Sequence, residues 1–197
     1  RPGGGEYQRI PCVDSLPDLD FKLDLLVVAL SSAQLPDIVA QVVETGCAET
    51  VMLIAGGMGE TKESLQRAQD VENSIFQARK EKEGGPIFLG ANCLGVVSHP
   101  GKFDTLFIPE SKLPKSRNPK KRNAAFISQS GAFMITRLSK RPELDPAYMI
   151  SVGNQNDLSL GDFLNYLKED EEIDVIGVYA EGFQDLDGLY FINGVRQ

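Results

Sequence analysis

The residues Ala124-Ala125-Phe126-Ile127-Ser128-Gln129-Ser130-Gly131-Ala132 carry the clearest structural signal in this chain. The short apolar run predicts a buried strand, which the small residues of Ser-Gln-Ser-Gly bring to an end. Phe133, Met134 and Leu138 follow at helical spacing. A strand that turns through small residues into a helix leaves the first N–H groups of the helix without partners, and these groups and the helix dipole favour an anion. The stretch therefore predicts a site for a phosphoryl or carboxylate group.

Apolar runs and helical patterns alternate along the rest of the chain. Leu25–Leu30 is continuously apolar, which suits a strand buried on both faces. Residues 60–83 carry an apolar stripe at three- and four-residue spacing, which predicts a surface-packed helix. The other predicted strands are 50–55, 86–89, 126–127, 148–152 and 173–179, and the other predicted helices are 35–45, 133–140, 160–167 and 186–195. This alternation predicts an α/β fold with parallel sheets in two lobes.

The stretch from Pro109 to Arg122 separates the two lobes. It contains three prolines and six basic residues, and Leu113 is its only apolar residue. This composition predicts an exposed linker. We therefore assign residues 1–110 to a first domain, 111–122 to the linker and 123–197 to a second domain.

Composition limits the classes of function. The net charge of −8 argues against an electrostatic nucleic-acid footprint, although backbone donors of an acidic chain can still hold a phosphorylated ligand. The three cysteines show no CxxC pair, so they suggest neither a disulfide framework nor a metal site. With no signal peptide and no apolar run near the roughly 18 residues of a membrane span, we expect a cytoplasmic protein without a membrane partner. The start at Arg1 without methionine and the helix-like end suggest a piece of a longer protein.

Small or polar residues follow most of the predicted strands. They are Ser31-Ser32, Gly56-Gly57, Asn92-Cys93, Ser128–Ser130, Gly153-Asn154 and Glu181. Ligands of open α/β sheets bind beyond the carboxyl ends of the strands, where small residues let them approach backbone donors. The recurrence of such residues predicts a binding site along this edge.

Four motifs occur in a fixed order. They are Gly-Ala-Asn-Cys-Leu-Gly-Val at 90–96, Phe-Ile-Ser-Gln-Ser-Gly-Ala at 126–132, Ser-Val-Gly-Asn at 151–154 and Tyr-Ala-Glu-Gly at 179–182. The set resembles the alpha part of the nucleoside-diphosphate-forming acyl-CoA synthetases, which include the succinyl-CoA synthetase alpha subunit and ADP-forming acetate–CoA ligase. The resemblance covers about Leu25 to Gln197. It implies a partial Rossmann-like CoA-binding domain followed by a flavodoxin-like domain.

The resemblance implies a CoA cleft in the first domain. Ser31 and Ser32 match the strand-end segment that lines this cleft, and Asn92 matches an asparagine near the reactive end of CoA. Ala91 stands where the family has a proline, so the turn would be less rigid. The family's glycine-rich phosphate loop is expected before Arg1.

The resemblance also implies a phosphoryl site in the second domain. In the family, the start of a helix holds the phosphoryl group of a phosphohistidine. Four residues match this helix start: Ser128, Ser130, Gly131 and Ala132. Glu181 matches the catalytic glutamate that orients this histidine, since a phosphoryl-carrying histidine needs an acceptor for its other ring nitrogen. The histidine itself is expected after Gln197.

The family reaction converts acyl-CoA, phosphate and a nucleoside diphosphate to acid, CoA and a triphosphate, through an acyl phosphate and a phosphohistidine. The resemblance therefore implies coenzyme A and a small carboxylic acid as ligands of an acid–thiol ligase. ATP or ADP with Mg²⁺ would bind an ATP-grasp part or beta subunit outside this chain, within an oligomer. The alternative is a non-catalytic CoA- or acyl-CoA-binding regulatory module; an FMN-binding flavodoxin-like protein is a third, weaker option.

Three other chemistries are disfavoured by the residues. His99, the only histidine, is better read as a loop residue than as a phosphoryl carrier. Cys93 has no second histidine near it in sequence and is better read as a small buried residue than as a nucleophile. The Ser128–Gly131 stretch is not a Gly-x-Ser-x-Gly elbow, so a serine hydrolase is not indicated.

Overall fold

A computed structural model describes residues 4–59, 61–81, 84–114, 120–184 and 186–196. The chain divides into two compact units, Arg1–Phe88 and Leu89–Gln197. Both units combine sheets with helices, so the predicted α/β class is confirmed. None of the described helices is both long enough and apolar enough to cross a membrane.

The first unit contains a hairpin and a three-stranded sheet. Its elements are β1 (Gly5–Tyr7), β2 (Ile10–Cys12), β3 (Leu23–Val28), α1 (Leu35–Thr45), β4 (Ala48–Leu53), α2 (Lys62–Lys80) and β5 (Ile87–Gly90), whose last two residues belong to the second unit. Strands β1 and β2 pair antiparallel. The larger sheet has the order β3-β4-β5, and β3 and β4 are parallel.

The helices of the first unit form where local signals predict them. Thr61 caps α2 by accepting from the N–H of Ser64, and α1 ends at Gly46, which has a φ of 58°. The helix predicted over 60–83 is thus shorter, and Glu60, Lys82 and Glu83 lie outside the described residues.

Strand β3 is not buried along its whole length, so the expectation of a strand buried on both faces is wrong. Val28 is 4% exposed, whereas its neighbour Val27 is 44% exposed. Because successive side chains of a strand point to opposite faces, the face that carries Val27 is open at this end of the strand. Leu30, predicted as the end of the strand, lies beyond it and is also exposed.

The second unit is built on a mixed five-stranded sheet. Its elements are β6 (Gly95–Ser98), β7 (Phe103–Asp104), β8 (Ala124–Ser128), α3 (Gly131–Lys140), β9 (Tyr148–Ser151), α4 (Leu160–Leu167), β10 (Val175–Tyr179) and α5 (Asp187–Val195). The strand order is β10-β8-β9-β6-β7. β10, β8 and β9 are parallel, as expected, whereas β6 is antiparallel to both β9 and β7. β6 and β7 were not predicted.

The predicted linker is anchored at both described ends. Leu113 is 2% exposed within a core cluster that includes Met134 and Met149. The side chain of Arg122 is 8% exposed and pairs with Asp145 at 3.0 Å. The other described residues of 111–122 are exposed, so the exposed linker stays a prediction that Leu113 and Arg122 do not follow, while residues 115–119 lie outside the described chain. Because 95–98 and 103–104 are strands of the second sheet, the compact units divide earlier than the predicted boundary at 110.

Candidate functional site

Three strand ends and one strand start meet at a single edge of the second unit. β8, β9 and β10 are parallel, so Ser128, Ser151 and Tyr179 end on the same side of the sheet. β6 runs antiparallel to β9 and begins there at Gly95. Four segments, one from each sequence motif, therefore lie along this edge: 90–95, 128–132, 151–157 and 179–184.

The turn after β8 presents backbone donors. Ser128 is completely buried, and its Oγ donates to the carbonyl oxygen of Ser130 at 2.7 Å. The Oγ of Ser130 in turn caps α3 by accepting from the N–H of Phe133 at 3.2 Å. No hydrogen bond among the described residues uses the N–H of Gly131 or Ala132. Ser128 thus braces the turn from inside, and the start of α3 offers two N–H groups to an anion.

Gly131 lets α3 approach the segment before β6. A Cβ at this position would lie 2.8 Å from the Cβ of Leu94 and 3.4 Å from the Oγ of Ser151. Ser151 is fully buried, and its Oγ accepts from the N–H of Leu94 at 3.0 Å. The small residues at the two strand ends therefore allow close packing of three segments around the start of the helix.

Asn92 lies at the edge of the second unit rather than in the first unit, where the resemblance grouped it with Ser31 and Ser32. Its side chain is exposed and its backbone is left-handed, with a φ of 56°, a conformation that asparagine tolerates. The peptide bond between Gly90 and Ala91, one residue earlier, is cis.

Hydrogen bonds join the motif at 90–96 to the segment after β9. The N–H of Ala91 donates to Oδ1 of Asn156 at 2.6 Å, and the N–H of Asn154 donates to the carbonyl oxygen of Ala91 at 2.8 Å. Gly153 has a φ of +63°, and a Cβ there would overlap the carbonyl oxygen of Ala91. The glycine is therefore required both by its conformation and by the approach of this backbone.

Glu181 follows β10 at the same edge and is exposed. No hydrogen bond or ion pair found in the described part of the chain involves its carboxylate. Its backbone N–H, by contrast, donates to Oε1 of Gln129 at 2.7 Å. Sequence reasoning missed Gln129 because its partner is 52 residues away, although it lies inside the stretch that decided the fold.

The predicted residues of the first unit lie at the ends of β3 and β4. The Oγ of Ser31 donates to Oε1 of Gln34 at 2.8 Å, within a one-turn 3-10 helix (Ser32–Gln34). A Cβ on Gly57 would lie 3.1 Å from the Oγ of Ser32. The two strand ends are therefore close together, and the absence of a side chain at Gly57 leaves the hydroxyl of Ser32 accessible from that side.

The structure does not support a nucleophilic cysteine at this edge. Cys93 is 2% exposed, its Sγ lies 3.9 Å from the carbonyl oxygen of Leu89, and burial raises its pKa to about 12. A thiol with this pKa stays protonated near neutral pH, and the thiolate is the nucleophile. The interpretation of Cys93 as a small buried residue is confirmed.

His99 belongs to an ion-pair cluster at another place in the second unit. Its Nε2 lies 3.5 Å from Oδ1 of Asp145, whose other oxygen pairs with Lys120 at 3.2 Å and Arg122 at 3.0 Å. The side chain of Asp145 is 6% exposed, so the cluster holds one buried carboxylate between cations. This is a structural arrangement, in agreement with the interpretation of His99 as a loop residue.

Known proteins resemble the whole chain. Residues 1–99 match the CoA binding domain family, and residues 121–197 match the succinyl-CoA ligase like flavodoxin domain. The alpha subunit of acetate–CoA ligase [ADP-forming] II of Pyrococcus furiosus is 29% identical over 194 residues, which are 98% of this chain and 39% of that protein. Acetate–CoA ligase [ADP-forming] I of Archaeoglobus fulgidus is 29% identical over 182 residues, covering 91% of this chain and 25% of that protein.

A solved structure shares the fold. The acetyl-coenzyme A synthetase 1 of Ca. Korarchaeum cryptofilum, solved with phosphate and ADP, matches with a TM-score of 0.80 and 25% identity, over 98% of this chain and 39% of that one. The chain thus spans about two fifths or less of these relatives. It belongs to the CoA binding domain family and, with its flavodoxin-like second part, to the alpha region of the nucleoside-diphosphate-forming acyl-CoA synthetases.

Proposed function

We propose that this chain is the part of an acyl-CoA synthetase that binds CoA and receives the phosphoryl group of a phosphohistidine. The observation that carries the proposal is the edge of the second unit. The N–H groups of Gly131 and Ala132 have no acceptor among the described residues, and Gln129 ties this same turn to the loop that bears the exposed carboxylate of Glu181. Donors for an anion and an acceptor for an imidazole thus lie on one scaffold.

The proposed reaction proceeds in three group transfers. Phosphate attacks the thioester of acyl-CoA, so that the C–S bond breaks and CoA leaves as an acyl phosphate forms. A histidine nitrogen then attacks the phosphorus, which releases the carboxylic acid. A nucleoside diphosphate finally takes the phosphoryl group from the histidine to give the triphosphate. The reacting histidine and the nucleotide site belong to parts of the enzyme outside this chain.

The residues at the second edge have distinct parts in this scheme. The N–H groups of Gly131 and Ala132 and the hydroxyl of Ser130 would hold the phosphoryl oxygens, and donors fixed before the reaction stabilise the charge that develops there. Ser128, which is buried, would only brace the turn. Glu181 would accept from the histidine nitrogen that does not carry phosphorus, which fixes the tautomer and orientation of the ring.

CoA would bind through the first unit, which belongs to a CoA-binding family. Ser31 and Ser32 at the end of β3 would contact the cofactor. The absence of a side chain at Gly57, beside Ser32, leaves space for it. For Asn92, a contact with the reactive end of CoA stays a prediction. The relatives' names point to acetate as one acid of this class, and Mg²⁺ would accompany the nucleotide elsewhere in the enzyme.

The proposal is tested by phosphorylation of the full-length protein that contains this chain. With Mg²⁺ and ATP labelled on the γ-phosphate, we expect an acid-labile, alkali-stable label typical of phosphohistidine. Glu181→Gln removes the carboxylate but keeps the size of the side chain, so the rate of labelling is expected to fall by about 10²-fold or more.

Glu169→Gln is the matched control, since Glu169 is also exposed but follows the C-terminus of α4. It is expected to label at the wild-type rate. A wild-type protein that binds acetyl-CoA but takes up no label would contradict the proposal and favour a non-catalytic CoA-binding module. Equal loss of labelling in both variants would show that Glu181 has no specific part.

A further inference from the structure

The loop after β10 has little regular structure but is held by three glutamine side chains. Oε1 of Gln129 accepts from the N–H of Glu181 at 2.7 Å and from the N–H of Gly182 at 3.0 Å. The N–H of Gln129 itself donates to the carbonyl oxygen of Tyr179 at 2.9 Å. One residue of the turn after β8 therefore makes three hydrogen bonds to the end of β10 and the loop beyond it.

Two further glutamines fasten the same loop to the segment after β9. Gln155 is 4% exposed; its Nε2 donates to the carbonyl oxygen of Gly182 at 3.3 Å, and its Oε1 accepts from the N–H of Leu160 at 3.0 Å. Nε2 of Gln184 donates to the carbonyl oxygen of Asn154 at 2.8 Å. Both backbone groups of Gly182 are thus held by side chains, the N–H by the turn after β8 and the carbonyl oxygen by the segment after β9.

These bonds fix the backbone of Glu181 while its carboxylate stays exposed. A carboxylate that must meet an incoming imidazole gains from a rigid backbone, because ordering of the loop is then complete before the partner arrives. We propose that Gln129 is a positioning residue, which sets the carboxylate of Glu181 relative to the donors of Gly131 and Ala132. The inference rests on the proposed function.

The amide of Gln129 suits this role for an electrostatic reason. It supplies an acceptor for two N–H groups, yet it carries no charge beside a site for a dianionic phosphoryl group. A glutamate at the same position would keep both hydrogen bonds but would repel the phosphoryl group. A methionine would keep the length and approximate volume but would lose the acceptor. The two substitutions thus separate the mechanical contribution of this side chain from the electrostatic one.

The first measurement is hydrogen exchange in the full-length protein, on a peptide that includes residues 180–184. In Gln129→Met the amides of Glu181 and Gly182 are expected to exchange about tenfold faster, since both lose their acceptor. In Gln129→Glu they are expected to stay protected. Wild-type protection in Gln129→Met would overturn the inference, because the loop would then be held without this side chain.

The second measurement is the rate of phosphoenzyme formation as a function of ATP concentration. For Gln129→Met we expect the maximal rate to fall by about tenfold to hundredfold with little change in the KM for ATP, since only the alignment of the carboxylate is lost. Gln129→Glu is expected to restore protection without restoring the full rate. Gln66→Met, on the surface of α2, is the matched control and is expected to behave as wild type.

The outcomes separate this inference from the proposed function. A wild-type protein that is never phosphorylated overturns both, because no reaction remains for which Glu181 would be positioned. A phosphorylated wild type together with a Gln129→Met variant of equal rate overturns only the role of Gln129. A reduced rate that is matched by an equal loss of folded protein in thermal unfolding would also contradict it, because the effect would then be one of stability.

Discussion

The two units hold their strand-end edges in different ways. In the first unit, the described hydrogen bond of Ser31 reaches Gln34, three residues later, within one turn of helix. In the second unit, Gln129 reaches Glu181 over 52 residues and Ala91 reaches Asn156 over 65. Contacts of the first kind form wherever their few residues adopt the local turn, whereas contacts of the second kind exist only when the whole sheet is in place. The motifs of the second edge therefore depend on contacts between distant segments, and substitutions in those contacts are expected to cost more stability than one at Ser31.

The largest loss of stability is expected at the second edge, for Gly153→Ala. The new Cβ would overlap the carbonyl oxygen of Ala91 and lie 2.8 Å from the carbonyl carbon of Asn92, at a φ of +63°. We expect the free energy of unfolding to fall by about 3 kcal/mol, from the steric overlap and the left-handed backbone together. Urea unfolding followed by circular dichroism measures this free energy in the variant and in the wild type.

The control lies at the same edge. A Cβ on Gly182 would meet nothing within 4 Å, so Gly182→Ala is expected to change stability by no more than about 0.5 kcal/mol. Similar losses in both variants would contradict the view that the packing of 90–92 against 153–156 is the sensitive contact.

A pair of serine variants sharpens the comparison between the units. Ser151→Ala removes the buried acceptor of the N–H of Leu94, so the second unit is expected to lose about 2 kcal/mol. Ser31→Ala removes a local bond on an exposed side chain, and a loss of about 0.5 kcal/mol is expected. Chemical denaturation curves of the two variants, recorded side by side, provide the measurement. A larger loss for Ser31→Ala would reverse the proposed contrast.

The smallest expected difference between two compared proteins depends on pH. Burial raises the pKa of Cys93 from 9.0 to about 12, so its thiol stays protonated in the folded protein while it ionises in the unfolded chain. The stability that results is fully present below about pH 9 and is lost as the pH rises towards 12. Between pH 8 and pH 10 the wild type is expected to lose about 1 kcal/mol more than Cys93→Ala does.

Denaturation of both proteins at the two pH values measures this difference, in which the titration of all other groups cancels.

Alkylation provides an independent check. Cys12 is partly exposed, whereas Cys93 is 2% exposed, so a thiol reagent at pH 8 should modify Cys12 first and Cys93 only on unfolding. Equal rates for these two cysteines would contradict the burial of Cys93.

Most helices and strands could be predicted because their signals are local. Ser130 and Ser159 cap the helices that follow them, and the apolar spacing of α3 and α4 defines their buried faces. β6 and β7 could not be predicted, because strands of four and two residues have no readable period and are made by pairing with β9 and with each other. For the same reason, nothing local indicated that Leu113 is buried among Met134 and Met149.

The sequence by itself determined the α/β class, the strand–turn–helix at Ser128–Ala132 and the family, because caps, apolar period and ordered motifs are properties of neighbouring residues. Only the tertiary structure decided that Asn92 lies at the edge of the second unit, that Ser128 faces inward and that Gln129 holds the loop of Glu181. Those facts depend on backbone groups distant in sequence, which meet only when parallel strands place their carboxyl ends side by side.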